Sequence, residues 1–520
     1  MSKELILLIR NESVKNFGDI LNYYAIKTPD KLFLIDIESE KRFTYFEFNM
    51  LVNKTSDFLA KQGMLQGDTL SIVLENSWPY LCFYFACMKM GIIVNPFPIS
   101  LEPQDLIRYI NYVEPKLIAT NTSMSKKLSE FKHPYKVLEV EENSWTNFIE
   151  NYNEFNSFPE CNLDAQACCY YSSGTTANPK GIMISNRNML TNIRSIVEGF
   201  RFNSQENHLI FLPLGHTASI NYSMLPCLFS GGTITLAKSI WEIRSDFWTI
   251  IAKYRITFLE MVPTSLIIIL NMKKLDKELD ISSLKWIGCG SAQLLVSQQI
   301  AFKEKFGIPV GNLYGLSETG PSHIDYPLED NWESGSIGFP LSVNECRVLD
   351  KNNVECVVGE IGEIVLKGEN IFIGYFKNKK GYVDAVKDGY FYTGDLGYIG
   401  TDNKFYFSGR KKDLIIKGGV NILPAEIEEV LSEHINVEDV AVIGIPDRIV
   451  GEEVCAVVKL KDWIDEESLL NFCINKLSDY KLPKKIIIVD ELPKGTSGKI
   501  LKRVLKDKYV EKVEKNEQMG

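Results

Sequence analysis

Three things are scarce in this sequence of 520 residues: paired cysteines, long apolar runs and surplus positive charge. The eleven cysteines form no CxxC pair, so we expect reduced thiols rather than a disulfide framework or a zinc site. No stretch approaches the roughly 20 apolar residues that a membrane helix needs. The net charge of −10 disfavours general binding to nucleic acid or to an anionic membrane.

The N-terminal segment also lacks the features of a targeting signal. Its apolar run at residues 5–9 is short, and Glu4 and Arg10 flank it. A signal peptide has a longer apolar core, so we expect a cytoplasmic protein with no integral membrane segment.

What is present is the composition of an ordinary globular protein, with 45% hydrophobic and 24% charged residues. The length exceeds what one hydrophobic core supports, which predicts at least two domains. Short apolar runs alternate with amphipathic segments such as 188–200; the runs are 32–37, 69–74, 208–214 and 234–237. This alternation predicts an α/β fold with mostly buried strands.

A change of pattern near residue 410 predicts a domain boundary. The sequence GRKKDLIIKGG at 409–419 is followed by a helix pattern that begins at Pro424. Two strand patterns, VAVIGI and EVCAVVKL, and a Lys-rich tail come next. We predict a large N-terminal α/β domain of several sheets at 1–409 and a small, mobile α+β domain at 410–520.

The most informative motif is YYSSGTTANPKGIMISNRN at 170–188. An apolar strand from Ala167 to Tyr171 runs into a loop of small residues, whose backbone can fold closely round a polyanion. Backbone N–H groups, hydroxyls and an ammonium there can donate to phosphate oxygens. The candidate phosphate contacts are Ser172, Ser173, Gly174, Thr175, Thr176 and Lys180. The loop is not a Walker loop, because it lacks GxxxxGK[ST].

Three further motifs carry single charged residues. YGLSETG at 314–320 presents Glu318, a hard oxygen ligand of the kind that holds Mg²⁺ together with ATP phosphates. YTGDLGYI at 392–399 presents Asp395, which can accept hydrogen bonds from vicinal hydroxyls, and Arg410 follows it. LPKGTSGKI at 492–500 presents Lys499 after a Gly-rich turn. Taken singly, each is equally typical of a surface turn.

In this order, the four motifs resemble the adenylate-forming superfamily of acyl-CoA synthetases, carrier-protein-loading adenylation domains and firefly luciferase. The resemblance covers residues 15 to 508. It implies an acid–thiol ligase that uses ATP and Mg²⁺ and passes an acyl group to CoA or to phosphopantetheine. The partners it implies are a small carboxylic acid and either CoA or an acyl carrier protein, with no nucleic acid.

The resemblance also implies a role for each matching residue. Lys499, His216 and Glu318 are the implied catalytic residues, and Glu318 is the metal ligand. Lys412 is the implied interdomain hinge. The implied nucleotide contacts are the 172–176 loop, Lys180, Gly290, Ser291, Ala292, Tyr314, Gly315, Ser317, Asp395, Arg410 and Lys499. The implied lining of the thiol tunnel is Gly418 and Gly419.

Two positions depart from the family pattern without removing a needed group. Ala177 stands where the phosphate loop usually has Gly, and Ser317 replaces the commoner Thr but keeps the hydroxyl. In addition, Gly215 precedes His216 where a bulky aromatic is frequent. We interpret these as variation within an active enzyme.

The acid itself is predicted from the segment that begins at PLGH, residues 213–216. No Asp or Glu occurs from 212 to 240. An amino acid would leave its ammonium unpaired there, so amino acids are disfavoured. Small residues leave room for an extended chain, which makes a fatty acid the first expectation; they are Gly215, Ala218, Ser219, Gly288 and Gly290. An aryl acid of the coumarate or benzoate type is the second.

Three functional alternatives remain open from the sequence. The first is an acyl-CoA ligase, and the second is an enzyme that loads the phosphopantetheine of a carrier protein. The third is an inactive nucleotide-binding relative, against which the intact Lys499, Glu318 and Lys180 argue.

Overall fold

A computed structural model describes residues 3–155, 157–171, 180–272, 278–330, 332–474, 476–495 and 499–517. Its strands alternate with helices over most of the chain, so the α/β prediction is confirmed. The strands are β1 (Leu32–Asp36), β2 (Arg42–Thr44), β3 (Thr69–Val73), β4 (Ile93–Pro96), β5 (Leu117–Thr120), β6 (Lys136–Glu139), β7 (Gln166–Tyr171), β8 (Gly181–Ser185), β9 (Asn207–Ile210), β10 (Thr233–Leu236), β11 (Phe258–Met261), β12 (Ile287–Gly290), β13 (Val310–Leu313), β14 (Gly315–Leu316), β15 (Gly320–Pro321), β16 (His323–Ile324), β17 (Phe339–Pro340), β18 (Asn344–Leu349), β19 (Gly362–Gly368), β20 (Gly374–Tyr375), β21 (Val386–Lys387), β22 (Tyr390–Ile399), β23 (Phe405–Arg410), β24 (Ile415–Lys417), β25 (Val420–Ile422), β26 (Val437–Asp447), β27 (Gly451–Leu460) and β28 (Lys485–Val489).

The helices pack on the faces of these sheets. They are α1 (Lys3–Arg10), α2 (Phe17–Lys27), α3 (Tyr45–Lys61), α4 (Trp78–Met90), α5 (Pro103–Val113), α6 (Thr122–Ser129), α7 (Glu142–Ile149), α8 (Asn186–Gly199), α9 (Leu225–Ser230), α10 (Ile240–Ile243), α11 (Phe247–Tyr254), α12 (Pro263–Leu270), α13 (Val296–Phe306), α14 (Lys379–Ala385), α15 (Pro424–Ser432), α16 (Glu466–Ile474) and α17 (Lys502–Glu517). A π-helix occupies Ser219–Met224, directly before α9.

Two seven-stranded sheets form the centre of the large N-terminal part. The first has the order β13-β12-β11-β9-β10-β1-β2, and only β2 runs antiparallel to its neighbour. The second has the order β20-β8-β7-β4-β3-β5-β6, parallel from β7 to β6. In a parallel sheet, the loops that follow the carboxyl ends of the strands all lie at the same edge, and ligands commonly bind there.

Helix α4 shows why the two sheets stay together. All thirteen of its residues are buried, and its sequence WPYLCFYFACMKM has almost no polar face. A helix that is apolar all round is stable only when it is covered on every side. The same buried cluster contains side chains from both sheets, such as Phe33 on β1 and Leu70 on β3.

A five-stranded antiparallel sheet follows, in which β18, β19, β22 and β21 are neighbours and β23 pairs with β22. The last sheet, β25-β24-β27-β26 with β28 on β27, belongs to the C-terminal part together with α15, α16 and α17. This part contacts the large one where Ser297 Oγ on α13 lies 3.2 Å from Ser432 Oγ on α15. A large N-terminal domain with a smaller C-terminal one is the architecture predicted from the sequence.

The local predictions differ from the structure mainly in length. The apolar strand before the phosphate loop is β7, and the helix at Pro424 begins with that proline in its first turn, as predicted. The apolar run 208–214 forms a strand only as far as Ile210, because Pro213 lacks the backbone N–H that a longer ladder needs. The eleven cysteines lie within the described ranges and are all free.

Candidate active site

The carboxyl ends of the first sheet bring together three segments that are far apart in sequence. β9 leads to the loop that carries His216, β12 ends at Gly290 just before Ser291, and β13 ends just before Tyr314. β12 and β13 are parallel neighbours, with Gly290 opposite Leu313. These residues therefore share one edge of the sheet, where open parallel sheets bind ligands.

A three-residue contact at this edge joins the first sheet to the antiparallel sheet. The Tyr314 hydroxyl donates to Asp395 Oδ2 at 2.9 Å, and Arg410 Nε lies 3.0 Å from Asp395 Oδ1. Asp395 and Arg410 face each other across β22 and β23. Burial raises the pKa of the Asp395 carboxyl, while the Arg410 charge acts in the opposite direction. Within the described residues, Oδ1 has no aligned hydrogen-bond donor, so it can accept from a ligand hydroxyl.

Glu318 lies near Lys180, with Tyr375 between them. The Tyr375 hydroxyl donates to Glu318 Oε1 at 3.0 Å, and Lys180 Nζ stands 5.6 Å from the centre of the Tyr375 ring. Burial raises the pKa of Glu318, whereas the tyrosine hydrogen bond and the Lys180 charge lower it. A cation beside this carboxylate would offset the same cost of burial.

Tyr375 is a site residue that the sequence reasoning missed. It sits on the two-residue strand β20, which pairs with β8 immediately after the phosphate loop. No local motif marks position 375, because its place beside Glu318 depends on a strand pairing between residues almost 200 positions apart.

The candidate phosphate loop is bounded by two paired strands. Tyr171 at the end of β7 lies opposite Gly181 at the start of β8, so the two ends of the candidate loop meet at one place in the sheet. Lys180 is exposed at the end of this connection. The candidate residues Ser172, Ser173, Gly174, Thr175 and Thr176, and the variant Ala177, lie outside the described residues.

Lys499 comes from the C-terminal part and reaches the same edge. Its charge acts on Asp395, and its pKa is lowered to about 8 by burial first and then by the positive charges of Arg410 and Lys412. A backbone hydrogen bond of 2.8 Å joins Gly495 N to the Lys499 carbonyl. The structure thus gathers Lys499, Asp395 and Arg410 in one charged cluster.

The loop of His216 lies close to Ser317. Thr217 Oγ1 is 3.5 Å from Ser317 Oγ, which links the His216 loop to the YGLSETG segment. The glycine before His216 has a packing role: a Cβ on Gly215 would stand 2.1 Å from the backbone N of Pro98. The expectation that Gly215 leaves room for an acyl chain is therefore wrong, because the backbone of Phe97 and Pro98 fills that space.

The same correction applies to the glycines of β12. A Cβ on Gly288 would lie 2.6 Å from Leu313 Cδ1, and one on Gly290 would lie 2.3 Å from the Leu313 carbonyl oxygen. These glycines let β12 and β13 pack closely and do not open a channel. After them, Ser291 adopts a φ of 64°, a left-handed conformation that is uncommon for a non-glycine residue and frequent at functional turns.

The remaining candidates lie between and beyond the last two sheets. Lys412 is exposed in the short 3₁₀ turn Lys411–Asp413 that joins β23 to β24. Gly418 and Gly419 form the two-residue hairpin turn between β24 and β25, with φ of 58° and 84°. Two such positive values are what a type I′ turn requires, and open space surrounds both glycines.

Comparison with protein families identifies the chain. The model of the AMP-binding enzyme family matches residues 22–376, and the model of the AMP-binding enzyme C-terminal domain matches residues 426–499. The chain belongs to the AMP-binding enzyme family. The resemblance inferred from the four ordered motifs is confirmed by this match.

Curated relatives of this AMP-binding enzyme are named as CoA ligases. The sulfoacetate–CoA ligase of Cupriavidus necator is 31% identical over 92% of this chain and 94% of its own. The 2-succinylbenzoate–CoA ligase of Bacillus licheniformis is 29% identical over 93% of this chain and 98% of its own. A long-chain-fatty-acid–CoA ligase of Mycobacterium tuberculosis is 27% identical over 95% of this chain and 99% of its own.

A solved structure supports the fold of the AMP-binding enzyme along nearly its whole length. ATP-bound MatB from Rhodopseudomonas palustris superimposes with a TM-score of 0.89 at 29% identity, covering 95% of this chain and 99% of that one. The prediction of an acid–thiol ligase agrees with the relatives. Their names cover chemically different acids, so they do not single out one substrate.

Two observations concern what else the described part of the AMP-binding enzyme contains. Along the described ranges, no helix is both long and apolar enough to cross a bilayer. In the same ranges, no group of three or more His, Cys, Asp or Glu side chains is arranged to hold a metal by itself.

Proposed function

We propose that this AMP-binding enzyme is an acid–CoA ligase. It would use ATP to convert a carboxylic acid to an acyl-adenylate with release of pyrophosphate, and then pass the acyl group to the thiol of CoA. The observation that carries the proposal is the cluster of Lys499, Asp395 and Arg410 beside Tyr314. The CoA-ligase names of the relatives favour CoA over a carrier protein as the acceptor.

The nucleotide would lie along the carboxyl edge of the first sheet. Asp395 and Arg410 would hold the ribose hydroxyls, since Oδ1 can accept a hydrogen bond while the arginine holds the carboxylate in place. Tyr314 would contact the base. The further nucleotide contacts proposed are the 172–176 loop, Lys180, Gly290, Ser291, Ala292, Gly315 and Ser317.

Glu318 would hold Mg²⁺ with the help of the nucleotide phosphates. The site fits the ion, because Tyr375 holds one oxygen of this carboxylate and a bound cation would offset the burial that raises its pKa. A single carboxylate combined with phosphate oxygens is the usual way in which proteins bind Mg²⁺. When bound, the ion would neutralise charge on the phosphates of ATP.

Lys499 would supply the positive charge at the reacting phosphorus. A carboxylate oxygen of the acid forms a bond to the α-phosphorus, and the bond from that phosphorus to the bridging oxygen breaks as pyrophosphate leaves. Negative charge grows on the phosphoryl oxygens in the transition state, where a preorganised cation stabilises it most. His216 would stand beside the acid carboxylate as it enters.

The second step needs a different arrangement of the C-terminal part. The CoA sulfur attacks the acyl carbon, the bond to AMP breaks, and the thiol proton passes to solvent. We propose domains at 1–409 and 410–520 with Lys412 as the hinge, since it lies in the short turn between two sheets. Rotation there would withdraw Lys499 and bring the exposed turn at Gly418 and Gly419 to line the thiol tunnel.

A fatty acid, the first expectation from the sequence, is no longer supported by Gly215, Gly288 and Gly290, because protein atoms occupy the space beside each of them. An aryl acid of the coumarate or benzoate type stays a candidate.

The proposal is tested by pyrophosphate release across a panel of acids, with and without CoA. The wild type should release pyrophosphate with its acid and form a thioester only when CoA is present. Lys499→Ala should lose the first step by about 100-fold or more, as expected for removal of one transition-state charge contact. It should keep most of its activity when the acyl-adenylate is supplied chemically.

A matched control is Lys476→Ala, which removes another lysine of the C-terminal part that pairs with Glu433 on the surface. This variant should behave like the wild type in both steps. Equal loss of both steps in Lys499→Ala, or no pyrophosphate release by the wild type with any acid, would argue against the proposed function.

A further inference from the structure

A carboxylate without a partner lies inside the large N-terminal part. Glu260 on β11 is 3% exposed, and neither of its side-chain oxygens has a hydrogen-bond partner among the described residues. Buried polar side chains are almost always paired, because losing water without a new hydrogen bond is costly. Such a group in a native protein calls for a ligand or another function.

The strand pattern places Glu260 on the face of the sheet that meets the π-helix. Its neighbours Leu259 and Met261 belong to the apolar cluster on the other face, so Glu260 points the opposite way. The charge of Glu260 acts on Tyr222, a residue of the π-helix Ser219–Met224. π-Helical turns are rare in proteins, and those that occur often lie at functional sites.

Tyr222 is a second buried polar side chain without a hydrogen-bond partner among the described residues. Its side chain is 5% exposed, and its hydroxyl likewise has no hydrogen-bond partner within the described ranges. Two unsatisfied polar groups from separate elements therefore converge on one small buried region. Either group alone would be a single exception, but two unsatisfied polar groups on contacting elements can both hydrogen-bond to a third group that enters between them.

This region adjoins the candidate active site. Glu260 is paired with Gly288 across β11 and β12, and Gly288 precedes Gly290 at the carboxyl edge by two residues. At about 3.3 Å per residue, Glu260 lies about 7 Å inside that edge. The loop of His216 leads directly into the π-helix that carries Tyr222.

We propose that Glu260 and Tyr222 bind a hydrogen-bond donor, an amino or hydroxyl group, on the far end of the acid that this enzyme activates. The inference rests on the proposed acid–CoA ligase function and names its substrate class. The acid would enter at the His216 edge with its carboxylate outward. Its polar group would then lie between β11 and the π-helix.

The electrostatics suit either kind of donor. Burial raises the pKa of Glu260 to about 8, so its carboxyl is mostly protonated near neutral pH and its carbonyl oxygen accepts from a hydroxyl. An ammonium group would favour the ionised form by direct pairing. A plain alkyl tail would leave both oxygens unpaired, which is why the structure argues against an unsubstituted fatty acid.

The test compares acids in matched pairs that differ only in the donor. Suitable pairs are 4-hydroxycinnamate with cinnamate, 4-aminobenzoate with benzoate, and ω-amino or ω-hydroxy alkanoates with the corresponding alkanoates. The readout is kcat/KM for pyrophosphate release. The wild type should prefer the donor-bearing member of at least one pair by about 100-fold or more, because an analogue that lacks the donor leaves the site unsatisfied.

Substitutions at Glu260 and Tyr222 distinguish an amino donor from a hydroxyl donor on the acid. Glu260→Leu should reduce the preference to within about threefold of unity by improving the parent acid and weakening the donor-bearing one. Glu260→Gln keeps an acceptor oxygen, so it should retain preference for a hydroxyl and lose preference for an amine. Tyr222→Phe should lower the preference by a smaller factor.

Asp325→Asn is the control, since Asp325 is also a buried carboxyl with a raised pKa but accepts hydrogen bonds from Asn312 N and Trp332 Nε1. It should leave the ratio within each pair unchanged. A wild-type preference for the unsubstituted members, or a ratio that Glu260→Leu does not alter, would overturn the proposal while leaving the ligase function intact.

A spectroscopic readout stands apart from turnover. The difference between the infrared spectra of the wild type and Glu260→Gln should contain the carbonyl band of the protonated Glu260 carboxyl, since bands of other buried carboxyls such as Asp325 cancel in it. This band should shift when the preferred donor-bearing acid binds to the wild type without ATP. If no tested acid of either kind shifts this band, the proposal fails even if an acid is activated. If the band shifts but no pyrophosphate is released, the ligase function fails and the binding site stands.

Discussion

The hydroxyl of Tyr375 offers a sharp test of the Glu318 site. Tyr375→Phe removes the hydroxyl that donates to Glu318 Oε1 at 3.0 Å and keeps the ring that stands 5.6 Å from Lys180 Nζ. The change therefore isolates one hydrogen bond to a carboxylate. Its loss should leave the Glu318 carboxylate less firmly oriented towards a metal ion and should also make it a better proton acceptor.

The magnitude follows from the kind of bond that is lost. A hydrogen bond to a charged group contributes about 1.5 to 3 kcal/mol. If that contribution is expressed when the cation is bound, the Mg²⁺ concentration for half-maximal activity rises about 10- to 100-fold. Burial already raises the pKa of Glu318, and the variant raises it further. Protons then compete with the metal, so the deficit should be larger near about pH 6 than near about pH 8.

The assay is ATP–pyrophosphate exchange at fixed ATP, titrated with Mg²⁺ at several pH values. Tyr392→Phe is the matched control, because its hydroxyl donates to Asn353 at 3.3 Å on the surface. The control should titrate like the wild type. An unchanged Mg²⁺ requirement in Tyr375→Phe, or a deficit that grows as the pH rises, would refute the role assigned to Glu318.

Three further predictions address other parts of the site. Because the pKa of Lys499 is lowered to about 8, kcat/KM for ATP should fall as the pH rises through that value. Lys499→Arg stays charged and should therefore remove this fall at alkaline pH. A pH profile that the substitution leaves unchanged would speak against Lys499 as the titrating group. Lys412→Pro should retain pyrophosphate exchange but lose thioester formation, and normal thioester formation would exclude residue 412 as the hinge. Gly290→Ala, which puts a Cβ 2.3 Å from the Leu313 carbonyl, should cost about 1 to 3 kcal/mol in urea unfolding, and unchanged stability would contradict the close packing of β12 on β13.

Much of the fold could be read from local pattern. Five apolar residues before the phosphate loop predict β7, and Pro424 followed by acidic residues predicts the start of α15. These features depend on side-chain alternation, proline geometry and helix dipoles, which act over a few residues. The family was accessible for the same reason, since its motifs are short and keep a fixed order.

Some residues of the candidate site could also be predicted from the sequence, although the contacts between them could not. Asp395 and Arg410 are conspicuous beside glycines, and the structure adds that the Tyr314 hydroxyl binds the same carboxylate. That contact crosses from β13 to β22, over 81 residues of sequence. No periodicity in the chain indicates it, because only the packing of one sheet against another brings the two side chains together.

The acid pocket shows the difference most clearly. The sequence by itself determined that residues 212–240 carry no acidic group and that glycines occur at 215, 288 and 290. Only the tertiary structure decided that protein atoms cover these glycines and that β11, which carries Glu260, contacts the π-helix of that segment. The physical reason is sheet order: β11 lies between β9 and β12, so a strand outside residues 212–240 places a carboxylate beside a segment that has none.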